Sequence, residues 1–270
     1  MRGKRGSLLI LFLILLITIS SLSLAQEDDK YHLKLLAVQE TPEGHQGSDA
    51  DITLELKEGS GRVFLDTFPV TRMDTQISTR FAKEIACKHF NLNCNVYDFI
   101  YTIEAKSNII GGPSAGAAIA ALTTIALLDL NYDDDTTITG TINSGGIIGP
   151  VGGVKEKLEA ASKAGIKKVL ISKGTAAQLS YSAENISQDN ATTNNSVIKN
   201  NQTTNINKIT ETNKSTNITS PTNITPVTNK PAFSLLNYSK ENLSLEVVEV
   251  IDLDEVIFHL TGKQLNHKEI

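Results

Sequence analysis

Tryptophan is absent from the sequence, and aromatic residues of all kinds make up only 5% of it. So few aromatic rings provide no platform on which nucleic-acid bases could stack. The sequence also has no block rich in Lys and Arg beyond its N-terminus, and its formal net charge is -5. Both features argue against a nucleic-acid partner. The hydrophobic content of 40% is nevertheless enough for a sizeable core.

Nucleotide-binding loops and metal-ligand patterns are missing as well. The sequence contains no Gly-x-x-x-x-Gly-Lys-Ser/Thr, the loop that cradles phosphates in P-loop ATPases. The acidic run at residues 133–135 is typical of a solvated loop rather than a cation site. No metal-ligand spacing links the five histidines, which are His32, His45, His89, His259 and His267. We therefore expect neither a metal nor another cofactor.

The N-terminus has the pattern of an export segment. Basic residues within positions 2–5 precede an apolar run at about residues 8–19, and a Ser-rich stretch then ends at Ala25. This order predicts a signal peptide that is cleaved after Ala25. The alternative is an uncleaved membrane anchor, because residues 7–25 are just long enough to cross a bilayer. Either interpretation places the rest of the chain outside the cytoplasm, secreted or held at the cell membrane.

The second half of the chain contains a segment of unusual composition. In residues 183–232 Asn, Thr and Ser dominate and large apolar residues are few. Such a segment buries too little surface to offset its ordering entropy, so we predict that it is disordered. Sequons for N-glycosylation crowd into and just beyond it, at Asn185, Asn190, Asn194, Asn201, Asn213, Asn217, Asn223, Asn237 and Asn242. Their crowding favours a glycosylated loop, although single matches arise by chance in such a composition.

The two cysteines of the chain, Cys87 and Cys94, flank the end of a predicted helix. Outside the cell they could form a disulfide that closes a small loop. The alternative is a pair of buried free thiols.

Apolar periodicity and turn residues predict a single α+β domain. Asp74 is the expected N-cap of its first helix, which carries Ile77, Phe81 and Ile85 at spacings of four. Further helices are predicted at about residues 114–130, 154–164 and 252–260. Strands are predicted at about residues 31–39, 52–57, 63–68, 96–105, 136–142, 167–172 and 243–251. The resulting division is an export segment (1–25), the main part of the domain (26–182), the insertion (183–236) and a closing strand and helix (237–270).

A serine turn, Gly111-Gly112-Pro113-Ser114-Ala115-Gly116, precedes the second of these helices. The first N–H groups of a helix have no intrahelical acceptor, and the helix dipole favours negative charge there. A nucleophilic Ser114 would therefore have an oxyanion hole in its own and neighbouring amides. The alternative is that Ser114 merely caps its helix, as serine often does.

The helix predicted at 154–164 places one lysine on its apolar side. With Val154 at zero and about 100° per residue, Lys157 falls at about 300°, inside the arc that contains Leu158 and Ala161. Lys155 falls on the polar side. Desolvation should lower the pKa of an inward lysine, and a neutral lysine can act as a general base towards a serine hydroxyl. The alternative is a lysine whose stem covers apolar surface while its ammonium reaches solvent.

Three sequence blocks together resemble the proteolytic domain of the Lon proteases. They are Gly112-Pro113-Ser114-Ala115-Gly116, Thr139-Gly140 and Gly152-Gly153-Val154-Lys155-Glu156-Lys157-Leu158. In that family the corresponding blocks are GPSAG, TG and GG-aliphatic-KEKL. The resemblance is strong over about residues 109–171 and looser elsewhere.

The resemblance implies a role for individual residues. It makes Ser114 the nucleophile, Lys157 the catalytic lysine and Thr139 a residue held near that lysine. It also implies a fold like ribosomal protein S5 domain 2, peptide or unfolded-protein substrates and a homo-oligomer, by analogy a hexamer. Because the ATPase module is missing, the chain is most similar to the stand-alone, membrane- or surface-associated Lon-like proteins, many of them archaeal. We therefore expect an ATP-independent serine endopeptidase.

The chain departs from the family pattern at two places near the site. Ile110-Gly111 replaces the charged or Asp-containing approach to the serine turn that is typical of the family, and Thr141 replaces the acidic residue that often follows Thr-Gly. Both differences bear on substrate gating and active-site conformation rather than on the Ser–Lys pair.

Two other functions fit parts of the sequence. A kinase of the galactokinase–homoserine kinase type has a related fold, and residues 110–118 faintly resemble its phosphate loop. That hypothesis leaves the export segment and the spacing to Lys157 unexplained. A non-catalytic binding module of the same fold is the second alternative, since a fold alone does not define a function. The intact Ser114 and the inward Lys157 argue against it.

Overall fold

The computed structural model describes residues 30–42, 44–179 and 233–265, apart from the side chains of Lys30, Pro69 and residues 107–110. The predicted export segment and the predicted disordered segment, with the sequons from Asn185 to Asn223, lie outside these residues. Among the helices that the structure describes, none is both long enough and apolar enough to cross a membrane.

The strands form three sheets. Their bounds are β1 (Lys30–Thr41), β2 (Gly44–Glu58), β3 (Val63–Thr71), β4 (Tyr97–Ile110), β5 (Thr136–Thr139), β6 (Thr141–Ile142), β7 (Ile148–Gly149), β8 (Lys168–Ser172) and β9 (Glu246–Val250). The first sheet has the order β1-β2-β4-β3, with β3 parallel to β4 and the other pairs antiparallel. The second has the order β5-β8-β9 and is parallel, and β6 and β7 form a small antiparallel pair.

The helices are arranged around these sheets. Their bounds are α1 (Met73–His89), α2 (Gly116–Leu127), α3 (Val154–Lys163), α4 (Leu235–Asn242) and α5 (Leu253–Thr261). Short 3₁₀ turns occupy Cys94–Val96 and Pro113–Ala115, and residues 175–179 are also helical. The prediction of an α+β domain is confirmed.

Helix α2 lies at the centre of the main core. All its residues up to Ala126 are buried, as expected for a helix that is apolar nearly all round. It packs against α1, β1 and β2, and the inward side chains of the first sheet alternate along β2 and β4. Ile52, Leu54, Tyr101 and Ile103 are each fully buried. The N-terminus of α2 is thereby fixed in position.

A second, smaller core holds helix α3. Leu158 and Ala161 pack with Val169 and Ile171 of β8, in a cluster separate from the main core. The same helix contacts β1 and β2. Helix α3 is thus held between the two larger sheets, with its first turn directed towards the end of β5.

The predicted start of α1 is wrong. The helix begins at Met73 with Arg72 in the N-cap position, and Asp74 lies in the first turn. Its apolar residues at spacings of four also fail to share one buried face, because each step of four advances about 40° around a helix. Ile85 is buried, whereas Ile77 is 61% exposed and Phe81 is 42% exposed.

The ordered closing unit begins earlier than predicted. The sequence predicted an insertion up to residue 236 and a strand from about residue 243, but helix α4 precedes β9 and its Leu235 is fully buried. Helix α4 has one turn of apolar contact, too little for a periodic pattern in an Asn-rich context. The sequon residues Asn237 and Asn242 lie on this helix and are exposed.

Cys87 and Cys94 form a disulfide with a Cα–Cα distance of 6.0 Å. The bond ties the last turn of α1 to the 3₁₀ turn that leads into β4. Next to it, His89 Nε2 lies 2.6 Å from Asp254 Oδ2 in the first turn of α5. Two contacts therefore hold the C-terminal end of α1.

Candidate active site

The serine turn leads directly into the first turn of α2. Residues Pro113–Ala115 form a 3₁₀ turn, and Ser114 is partly exposed. Gly112 has a φ of 98°, a left-handed value that favours glycine. Its N–H donates a hydrogen bond of 3.1 Å to Asp74 Oδ2 of α1. The backbone just before the serine is thus held by a carboxylate from a neighbouring helix.

Lys157 points into the protein, as the helical pattern predicts. Its side chain is 3% exposed, whereas that of Lys155 is 49% exposed and lies 3.8 Å from Glu159. Both lysines are on α3, two residues apart, so they face opposite sides of the helix. The inward placement of Lys157 is confirmed, and its chemical role stays a prediction.

The environment of Lys157 favours the neutral amine. Burial disfavours the ammonium and lowers the pKa of Lys157 to about 8. Its Nζ donates a hydrogen bond of 3.0 Å to Thr139 Oγ1, at the end of β5, and Thr139 is itself buried. The threonine thus fixes the direction of the amine, and the amine loses its proton at a pH well below that of an exposed lysine.

Gly140 connects the lysine to the serine turn. It follows Thr139 directly, and its N–H donates to the Ser114 carbonyl at 3.0 Å while its own carbonyl accepts from Ala117 N–H at 3.1 Å. Two consecutive residues therefore contact the two candidate catalytic residues, one through a side chain and one through the backbone. In the described part of the chain the Lys157 amine bonds to Thr139 and not to the Ser114 hydroxyl.

A cavity of about 300 Å³ opens beside the serine turn. Pro113 and Gly116, on either side of Ser114-Ala115, form one wall, and Ile77 and Phe81 of α1 form another. Thr141 and Ile142 of β6 also line it, so its surface is mostly apolar. The exposed apolar residues of α1 therefore border a hollow next to the candidate nucleophile.

Sequence reasoning missed two contributors to this site. Asp74 was assigned to a helix cap, but its carboxylate bonds to the serine turn. Ile77 and Phe81 were noted only as apolar residues of the predicted helix, but they line the cavity. The contact between residues 74 and 112 spans a strand and a helix, and no local pattern in the sequence signals it.

Removing the Thr139 hydroxyl tests whether it directs the amine. Thr139→Val leaves the buried amine without its acceptor, so the peptide cleavage expected from the sequence should fall about tenfold. The midpoint of the pH–rate profile should also move to lower pH, since the lost acceptor favoured the ammonium. Thr139→Ser, which keeps a hydroxyl, should retain most activity and the original midpoint. Equal kcat values for Thr139→Val and wild type would contradict this role.

The sequence comparisons agree with this geometry. Residues 105–209 match the family model of the Lon protease (S16) C-terminal proteolytic domain. The chain is 45% identical to Lon protease 1 of Thermus thermophilus over 93 residues, 34% of this chain and 12% of that protein. It is 40% identical to a Lon protease of Helicobacter pylori over 77 residues, which is 28% of this chain and 9% of that protein.

The resemblance found in the motifs is therefore confirmed, and residues 105–209 are similar to the proteolytic domain of Lon proteases. It spans only about a tenth of the length of the curated relatives that it matches. The matched region includes the serine turn, Thr139 and the whole of α3.

Proposed function

We propose that this chain is a serine endopeptidase in which Ser114 is the nucleophile and Lys157 the general base. The observation that carries the proposal is the buried Lys157 amine, of lowered pKa, held by Thr139 next to the residue that binds the Ser114 backbone. Catalytic hydrogen bonds are often formed only in the substrate complex, so rotation of the Ser114 hydroxyl towards Lys157 completes the pair.

The chemistry follows from these positions. The neutral Lys157 amine takes the proton from Ser114 Oγ as that oxygen attacks the peptide carbonyl. N–H groups at the entry to α2 stabilise the oxyanion of the tetrahedral intermediate. The Lys157 ammonium then gives its proton to the leaving amine, which produces an acyl-enzyme and the first product. A water molecule, deprotonated by the same lysine, releases the second product and restores Ser114.

The cavity beside Ser114 indicates the kind of substrate. Its apolar walls, formed in part by Ile77 and Phe81, suit an apolar side chain next to the scissile bond. Folded proteins rarely expose such side chains in extended segments, so peptides and unfolded chains are the proposed substrates. Neither a kinase nor a binding module accounts for a buried lysine whose pKa is lowered and whose amine is fixed by a hydrogen bond to Thr139.

Further parts of the proposal rest on the sequence. Cleavage is proposed to be independent of ATP, since no P-loop pattern occurs in the 270 residues. Export or membrane attachment rests on the N-terminal pattern. The S5 domain 2-like fold and a homo-oligomer, by analogy a hexamer, follow from the resemblance to Lon proteases.

A serine-reactive fluorophosphonate probe tests the proposed function. Wild-type protein should be labelled on Ser114, as located by mass spectrometry of the digested adduct, and Ser114→Ala should not be labelled. Labelling should also be lost in Lys157→Ala, because the hydroxyl then lacks its base. Addition of ATP and magnesium should leave peptide turnover unchanged. Labelling at another residue, or labelling of Ser114 that is indifferent to Lys157, would overturn the assignment.

A further inference from the structure

The hairpin of β1 and β2 meets the first turn of α3 at unusually short distance. Val38 and Gly47 face each other as a cross-strand pair of this hairpin. A Cβ added to Gly47 would overlap the carbonyl oxygen of Glu156 and lie 2.5 Å from its carbonyl carbon. The strand backbone therefore packs directly on the backbone of the residue before Lys157.

The other member of the pair contacts the start of the same turn. Gly153 has a φ of 64°, and a Cβ added there would lie 2.5 Å from Val38 Cγ2. The Gly153 carbonyl accepts the N–H of Lys157 at 3.0 Å, which is the hydrogen bond that begins α3. Val38 and Gly47 thus contact the residues that close the helical turn from which Lys157 projects.

The far end of the lysine side chain is fixed independently. Its Nζ bonds to Thr139, which belongs to β5 in the other large sheet. The reach of the side chain is limited, so the amine can meet Thr139 and the serine turn only if the first turn of α3 lies close enough to them. An error of about 1 Å in the position of a catalytic group can cost about 100-fold in rate.

We propose that the Val38–Gly47 pair positions Lys157. This pair, called the clamp below, sets the distance between the first turn of α3 and the serine turn. The inference rests on the proposed function of Lys157 as general base. Neither residue touches a substrate or the reacting atoms. Glycine is required at position 47 because any side chain would push α3 away from the sheet, and the Val38 methyls fill the space over Gly153.

Gly47→Ala is the decisive variant, with Gly44→Ala as its matched control. Gly44 lies in the same hairpin with a φ of 121°, and no other atom of the described residues lies within 4 Å of an added Cβ. The control therefore strains the hairpin without touching α3. In the full chain we expect Gly47→Ala to lower kcat by about 100-fold with little change in KM. The midpoint of the pH–rate profile should move to higher pH, because the Lys157 amine becomes less buried. Gly44→Ala should keep the wild-type kcat and midpoint.

Two additions keep the test decisive. If Gly47→Ala does not fold, Val38→Ala serves instead, because it removes the packing over Gly153 without any clash. It should lower kcat and raise the pH midpoint in the same direction, but by less. Titration of the Lys157 amine by ¹⁵N NMR follows its position without reference to activity. If both variants keep the wild-type kcat and the wild-type titration midpoint of the Lys157 amine, the proposed role of the clamp is wrong. If wild type and Lys157→Ala cleave peptide at the same rate, the proposed function is overturned instead. The NMR titration of the Lys157 amine in Gly47→Ala would still test the clamp in that case.

Discussion

Peptide cleavage is expected to fall by about 10³-fold or more in Lys157→Ala, while Lys155→Ala keeps most of its activity. General base catalysis contributes about 10²–10⁴-fold to a rate, and Lys157→Ala removes the proposed base. The two lysines are neighbours on one helix, but only Lys157 is buried. Initial rates on a fluorogenic peptide measure the effect, and thermal melting checks that each variant is folded.

Loss of activity in Lys155→Ala together with an active Lys157→Ala would reverse the assignment. Lys157→Met offers a further control, since it fills the buried space with an apolar chain of similar length. It should be as inactive as Lys157→Ala, because shape without a proton acceptor cannot activate Ser114.

The pH dependence of kcat/KM is expected to rise through a single ionisation with a midpoint of about 8, the pKa of Lys157 in the folded protein. Below that pH the lysine is an ammonium and cannot accept the serine proton, so activity is low. Above it the neutral amine predominates and activity reaches a plateau. An unperturbed lysine, with a pKa of about 10.4, would keep the rate climbing into strongly alkaline solution.

The measurement is a pH series of kcat/KM on a peptide that has no titrating side chains. Circular dichroism across the same pH range shows whether the protein remains folded. A midpoint that follows an ordinary amine would contradict the neutral-base mechanism even if Lys157 proved essential.

The placement of the two candidate catalytic residues could be predicted largely from local patterns. Ser114 follows a turn motif, and the inward direction of Lys157 follows from the helical period alone. Each depends on residues within one or two turns of the side chain concerned. The role of Thr139 came only from the resemblance to Lon proteases, because a threonine at the end of a strand has no distinctive pattern of its own.

Contacts between distant segments could not be predicted. Gly47 meets Glu156 and Val38 meets Gly153 across more than a hundred residues, and a single sequence has no signal for which strand approaches which helix. The same holds for Asp74 and the N–H of Gly112. Helix α4 was missed for a different reason, since its short apolar contact is surrounded by residues typical of a loop.

Helix α1, which forms one wall of the cavity, is tied at both of its ends. Asp74 binds the serine turn at one end, and the Cys87–Cys94 disulfide and the contact of His89 with Asp254 hold the other. Between them, Ile77 and Phe81 face the cavity from a helix that is held at both ends. In the proposed peptidase, a substrate side chain would therefore meet a preorganised surface and lose little of its binding free energy in ordering the wall. Selection among substrates should then depend on how well a side chain fits a fixed shape, rather than on closure of a lid around it.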